Sequence, residues 1–302
     1  MKKIFKALIK ICIIGILGLG LYKSYTLYQQ NVLEKKQKQE NLSSLERSFV
    51  VIVFPQETHN EGLEEKNILS ILTQDYTDFK VIYLYNDETP NSLDKTKNLI
   101  AYLGKTNQVT FLPLSQNNSI LLNLYEAVQN CEDEEIILPV SNQDFLAHDS
   151  VLTKLNNLYK TPFVWMTYGS FLDYPSYKTL PQSSKPFPKN TVFNNSYRSH
   201  TIPNLYPITC YAGLFKKIQR KDLETLPETL FLADNSVGYA IPLLEMTGKH
   251  ARFVNEIFYL HSRNAEELAP IREESLLYLK KQAKYKRLKE LPFQIVPPTE
   301  KK

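Results

Sequence analysis

Short unbroken apolar runs recur through the first half of the chain, each followed by a segment of helical periodicity. That alternation leaves few folds open. Phe49–Phe54 is a β-branched and aromatic run closed by Pro55, the pattern of a strand buried on both faces of a parallel sheet. From Glu64 to Gln74, apolar Ile68, Leu69, Ile71 and Leu72 fall on one face of an amphipathic helix. Phe79–Tyr85 reads as a second strand that runs into a turn cluster at 86–91. Leu93–Leu103 reads as a helix, Val109–Leu114 as a strand, Ile120–Asn130 as a helix and Ile136–Val140 as a fourth strand. Strands and helices alternating at about thirty residues per unit predict an α/β fold with a mainly parallel sheet.

The fourth strand opens directly into a polar knot, Ser141-Asn142-Gln143-Asp144, and a helix-like segment begins at Asp149. Open α/β sheets bind ligands outside the carboxyl ends of their strands. The knot is therefore the first place to look for chemistry, and Asp144 is its one carboxylate.

Composition removes several function classes. Net charge is +4, with 36 basic and 32 acidic residues and the basic excess at the two ends. No stripe of Lys and Arg interleaved with aromatics marks a nucleic-acid surface. Three of the nine glycines (Gly15, Gly18, Gly20) lie in an apolar N-terminal run, and no glycine-rich phosphate cradle is present. The five histidines lack metal-ligand spacing, which argues against zinc. Cys12 lies in the apolar run, so only Cys131 and Cys210 remain as a possible pair.

The ends of the chain differ from its middle. From Ile4 to Tyr22 the chain is apolar apart from Lys6 and Lys10, about the 20 residues a bilayer crossing needs if those lysines snorkel. A cleaved signal peptide is the rival reading, but no small-x-small cleavage site follows. The expected organisation is a cytoplasmic stub and single-pass anchor (1–22), a polar helical stalk (23–47), the α/β domain (48–270), and a basic C-terminal helix and tail (271–302). The positive cluster before the apolar run predicts an N-terminus in the cytoplasm and a body on the far side, against which stand the lysines that follow the run (Lys23, Lys35, Lys36 and Lys38). The C-terminal segment reads either as a solvated helix or as one lying on an anionic membrane.

A resemblance enters with particular segments. Ile68–Ile82, Asn123-Leu-Tyr-Glu-Ala-Val, Asp149–Asn156, Val164–Ser170, Tyr211–Ile218, Ile241–Gly248 and Arg252–Ile257, taken in order, resemble family 2 glycosyltransferases of the GT-A fold over roughly residues 49–290. The resemblance implies a nucleotide-sugar donor across the strand ends, with Pro55, Asn86, Asp87, Ser141, Gln143, Asp144, Arg198 and His200 near it. It also implies an Asp-x-Asp motif that holds Mg²⁺ or Mn²⁺ against the donor diphosphate.

Here the motif is degenerate: Ser141, Asn142 and Gln143 stand in its place, and only Asp144 supplies charge for a metal. Coordination through one carboxylate is weakened accordingly. The expected base that deprotonates the acceptor has no carboxylate at its own position, Ser236, and Asp234 is the nearest acidic residue. The implied function is sugar transfer to a glycan or lipid-linked acceptor near a membrane. The alternative is a catalytically inactive relative that binds a glycan or protein partner. Several side chains have ordinary readings beside the functional ones. Arg198 fits a surface ion pair, Trp165 and Tyr168 fit the core, and His261 fits an edge strand with a satisfied hydrogen bond.

Overall fold

The computed structural model describes residues 46–55, 61–86, 90–179, 185–199, 205–224, 237–262, 278 and 280–295, with scattered positions between 23 and 33. The apolar run at 4–22 lies outside these residues. Among those described, no helix is long and apolar enough to cross a membrane.

The chain alternates as its apolar pattern requires. β1 (Phe49–Phe54) leads to α1 (Glu61–Leu72), β2 (Phe79–Tyr85), α2 (Pro90–Tyr102), β3 (Val109–Pro113), α3 (Ile120–Gln129) and β4 (Ile136–Ser141). The strands fall within a residue of the expected bounds. The helices α1 and α2 begin three residues earlier than their apolar periodicity indicates; in α2 the added turn, Pro90-Asn91-Ser92, is polar or helix-starting and carries no such signal. Every residue of β1 and β4 is buried, which explains why both read as unbroken apolar runs rather than as alternating ones.

The second half is less regular. It contains β5 (Phe145–Leu146), α4 (Val151–Tyr159), β6 (Met166–Asp173), α5 (Lys189–Asn194), β7 (Ile208–Tyr211), α6 (Ala212–Phe215), α7 (Arg220–Glu224), α8 (Val237–Thr247) and β8 (Ala251–His261). The strands of the described residues join one eight-stranded sheet in the order β3-β2-β1-β4-β7-β6-β8-β5. The β3-β2-β1-β4 half is parallel throughout. β7 runs antiparallel between β4 and β6, and β8 returns parallel to β6. The chain moves outward from β1 through β2 to β3, then crosses back to place β4 on the other side of β1. That reversal makes the C-terminal ends of β1 and β4 the topological switch point of the sheet.

The basic C-terminal segment is not the continuous helix that its sequence pattern predicts. Only Tyr278, Lys280 and Lys281 are helical among its described residues, and 282–295 run without regular structure. Instead of a helix, this stretch is a strap across the body. Leu288, Leu291, Phe293 and Ile295 pack against the core. The Leu288 N–H donates to Met246 O at 2.9 Å, and the Tyr285 N–H donates to Glu245 Oε2 at 2.9 Å. Two glycines mark where the strap lies closest. A Cβ on Gly213 would stand 2.6 Å from Phe293 Cδ1 and 2.8 Å from Asp133 Cβ, and one on Gly248, at φ +55°, would strike the Arg287 side chain.

Candidate functional site

The switch point is closed by the knot that follows β4. The Asn142 N–H donates to Phe54 O at 2.9 Å, tying the end of β4 to the end of β1, and the Asp144 N–H donates to Ser141 O at 3.1 Å to form the turn. Helix α1 holds this turn through a polar face interleaved with its apolar one. Asn67 Nδ2 donates to Ser141 O at 2.9 Å and to Asp144 O at 2.6 Å. Ser70 Oγ accepts from the Leu146 N–H at 3.1 Å. Gln74 donates to His148 O at 2.7 Å and accepts from the Leu152 N–H at 3.0 Å. Asn67 and Ser70 lie on one face because positions three apart align on a helix, and Gln74 follows two residues beyond the end of α1.

Glu64 enters the knot from the first turns of α1, accepting from Asn142 Nδ2 at 2.8 Å. The Tyr83 hydroxyl at the end of β2 sits beside Thr96, Asn142 and the Glu64 carboxylate, and burial followed by that charge raises its pKa well above the usual phenol range. Ser141, Asn142, Gln143 and Asp144 are all buried.

Asp144 is 1% exposed. Its Oδ2 accepts from the Tyr259 hydroxyl at 2.8 Å and lies 3.0 Å from His261 Nδ1. Its Oδ1 accepts from the Ser262 N–H at 2.9 Å and from Ser262 Oγ at 3.4 Å. Tyr259 in turn accepts from the Ser141 N–H at 3.3 Å. Tyr206 lies flat on both Tyr259 and His261, at 5.2 Å and 5.4 Å between ring centroids. Burial, then the adjacent Asp144 charge, raises the Tyr259 pKa far above its ordinary value, so this phenol stays a hydrogen-bond donor. The carboxylate therefore clasps the end of β8 to the knot after β4.

Such a carboxylate is poorly placed for a divalent cation. A hard cation needs several oxygen ligands around it, and both Asp144 oxygens already take protein donors. Among the described residues no group of three or more His, Cys, Asp and Glu side chains is placed to hold a metal ion. Among the described residues His261 Nε2 is a buried nitrogen without a hydrogen-bond partner, but one nitrogen beside a carboxylate whose two oxygens already take donors does not make a Mg²⁺ or Mn²⁺ site. As arranged, the residues do not fit the ion.

The other expected site residues fall in different places. Pro55 and Asn86 follow β1 and β2 at the same sheet edge as the knot and are half-buried. Asp87, His200 and Asp234 lie outside the described residues. Arg198 points inward: its Nε is 2.7 Å from Glu245 Oε1 and its terminal nitrogens donate to Glu245 Oε2 at 2.8 Å and to Gln282 O at 3.0 Å. Arg198 is 4% and Glu245 0% exposed. The guanidinium is thus a buried bolt between α8 and the strap, not the surface ion pair or the diphosphate contact that the sequence suggests. Trp165 and Tyr168 belong to the core, and Cys131 and Cys210 are free buried thiols.

Glu64, Asn67, Ser70 and Gln74 carry no motif, and sequence reasoning passed over them. The available signal for Glu64, Asn67 and Ser70 was their helical spacing on the face beside the apolar one.

Neither a family model nor a curated protein matches this sequence. Solved structures do. S. aureus TarS is 18% identical with a TM-score of 0.50, and the match covers 73% of this chain and 37% of TarS. The mannosyltransferase PcManGT from Pyrobaculum calidifontis, in complex with GDP-Man and Mn²⁺, is 15% identical with a TM-score of 0.46, covering 73% of this chain and 58% of that one. GalNAc-T7 with UDP, GalNAc and Mn²⁺ is 12% identical with a TM-score of 0.49, covering 78% and 48%. The chain spans less than two thirds of each. These neighbours are glycosyltransferases, and the likeness to TarS identifies the fold as GT-A.

Proposed function

We propose that this domain takes a nucleotide-sugar donor at the C-terminal edge of its parallel strands. It would transfer the sugar to a glycan or lipid-linked acceptor close to the membrane that residues 1–22 reach. The observation that carries the reading is the switch point between β1 and β4 in a fold shared with TarS. Pro55, Asn86 and Asp87 would line the nucleotide end of the edge. The knot would shape its floor through Ser141, Asn142 and Gln143, with Glu64 holding the Asn142 side chain and Asn67 holding the main-chain oxygens of Ser141 and Asp144. Asp144 would keep that floor rigid from behind. Asp234 would accept the proton of the acceptor hydroxyl, with His200 beside the donor. No step runs through a cation at Asp144, because its oxygens are committed to Tyr259, His261 and Ser262.

A second reading is favoured by one observation. The residues that stand where the resemblance places the acidic motif are each 5% exposed or less, so the knot presents little side-chain chemistry. A domain of this kind would bind a glycan or protein partner without transferring anything.

Thermal unfolding of the full chain in detergent micelles, titrated with UDP- and GDP-sugars with and without Mn²⁺, separates the two readings. A donor at one hundred times its dissociation constant stabilises the native state by about 2.7 kcal/mol. The transferase reading expects a shift with one donor, equal with and without Mn²⁺. A flat response to every donor removes donor binding and leaves the binding-only reading. A shift that requires Mn²⁺ shows that the Asp144 clasp opens, against the geometry described here.

A further inference from the structure

An aromatic group stands at the candidate-site edge, on the far side of the knot from Pro55 and Asn86. β6 runs parallel to β8 with Asp173 level with His261, so the turn after β6 opens at the edge where Asp144 clasps β8. The Tyr174 N–H donates to His261 O at 2.7 Å. Phe145, the residue after Asp144, meets the Tyr174 ring edge to face at 5.1 Å between centroids. From α1, Lys66 Nζ donates to the Tyr174 hydroxyl at 2.5 Å. Tyr174 is thus fixed by three elements. The Tyr177 ring stands against it at 5.7 Å with the planes nearly perpendicular.

Tyr177 is 57% exposed. Among the described residues of the domain the other well-exposed aromatic rings are Tyr102, Phe163 and Phe193. Tyr102 and Phe163 come shortly before β3 and β6, and Phe193 O accepts from Arg287, which lies against Gly248 just before β8. Those three therefore stand where strands begin, at the opposite edge. Tyr177 also sits at φ +55°, a left-handed backbone that persists in a bulky residue only where the surroundings fix it. Here they do. The Asp173 N–H donates to Lys178 O at 2.9 Å, the Tyr177 N–H to Asp173 O at 2.6 Å, and Ser176 Oγ to Asp173 Oδ2 at 2.5 Å. Glycine would take this backbone without strain, so the turn itself does not call for a tyrosine. What the tyrosine adds is a rigid ring, open to solvent, beside the site.

We propose that Tyr177 is the platform on which an uncharged pyranose of the acceptor, a hexose or an N-acetylhexosamine, is stacked. The C–H face of such a ring is apolar and lies against the electron-rich face of an aromatic ring, while its rim of hydroxyls needs hydrogen-bond partners. The Tyr174 hydroxyl and the remaining Lys66 N–H groups stand ready at that rim. Charge selects no anion here: Lys66 and Lys178 are matched by Glu65 and Asp173 among the described charges of the turn and of the α1 turn facing it, and Glu64 is turned into the knot. The nucleotide end lies elsewhere, because β6 is three strands from β1, about 14 Å at the spacing of paired strands. The proposal rests on the transferase reading above and names the acceptor end of that site.

The test measures capture of the full chain, in detergent micelles, by immobilised chitotriose, cellotriose, maltotriose and mannotriose, with trigalacturonic acid as the charged counterpart. At least one neutral trisaccharide should bind. Tyr177→Ala should weaken that binding about tenfold, and Tyr177→Phe, which keeps the ring, should retain it. Tyr177→Gly, which suits the left-handed backbone and keeps the fold, should bind as weakly as Tyr177→Ala. Capture by none of the neutral sugars, capture indifferent to Tyr177→Ala, or capture by trigalacturonic acid alone overturns the proposal. The donor titration described above, on the unsubstituted protein, separates the two failures. Stabilisation by a UDP- or GDP-sugar without Tyr177-dependent capture keeps the transferase reading and removes this platform. Tyr177-dependent capture with no response to any donor keeps the sugar platform and removes transfer.

Discussion

Removing Arg198 tests how the strap and the body depend on each other. Its guanidinium makes a forked pair with Glu245, with contacts of 2.7 and 2.8 Å, and a further bond to Gln282 O at 3.0 Å. Arg198→Ala leaves the Glu245 carboxylate at 0% exposure, with the Tyr285 N–H still donating to it at 2.9 Å. Breaking a buried pair from one side costs about 3–5 kcal/mol, chiefly because the other charge stays desolvated. For a body of this size each kcal/mol lowers the melting temperature by about 2–4 °C, so a fall of roughly 6–20 °C is expected. Equilibrium urea unfolding and a thermal melt measure it, and limited proteolysis between 280 and 295 shows whether the strap lifts first. Removing both charges with volume kept, Arg198→Met with Glu245→Leu, should recover most of the loss, since a well-packed apolar pair often equals or exceeds a buried ionic one. A loss below about 1 kcal/mol for Arg198→Ala would show that the pair is effectively solvated. A double variant as unstable as the single one would show that packing, not uncompensated charge, sets the cost. Either result refutes the reasoning.

Other expectations follow from the same contacts. Gly213→Ala forces a Cβ toward Phe293 and should loosen the end of the strap, seen as faster chymotryptic cleavage there with a stability loss of about 1–3 kcal/mol. Tyr259→Phe removes one donor to Asp144 and one acceptor for Ser141 while keeping the ring; a loss of about 1–3 kcal/mol in urea unfolding is expected, and no loss would mean that the clasp is slack. Burial pushes the Cys131 thiol up to about 11 from 9.0, so the unfolded chain ionises first as pH rises. Stability contributed by this buried thiol is present below pH 9 and is lost between pH 9 and 11. Urea titrations across that range should show a decline that Cys131→Ala makes shallower. At pH 8 both buried thiols should resist alkylation in the native protein and react on unfolding, and rapid native labelling of either would contradict their placement.

Local pattern was enough to set the parallel half of the sheet. An apolar run such as Phe49–Phe54 or Ile136–Val140 has no polar face to offer water, so only burial on both sides satisfies it, and helices must cover it. Periodicity and turn chemistry are local properties, and they set β1 to β4 and the knot at the end of β4 without tertiary information. The same local reading showed that the acidic motif was depleted, because absence of a carboxylate is visible in a string of letters. The destination of a polar side chain was not visible there. Asp144 could face solvent, a cation or a protein donor, and its choice depends on Tyr259, His261 and Ser262, more than one hundred positions away in the chain. Arg198 was drawn inward for the same reason, since its partner Glu245 sits on another helix. The C-terminal strap shows the limit most directly. Its basic, apolar-spotted sequence satisfies a helical pattern, but Leu288 and Phe293 gain more from the body than from their own turns. Local free energies decide strands and helices; which charges meet is decided by packing, and only the tertiary structure contains it.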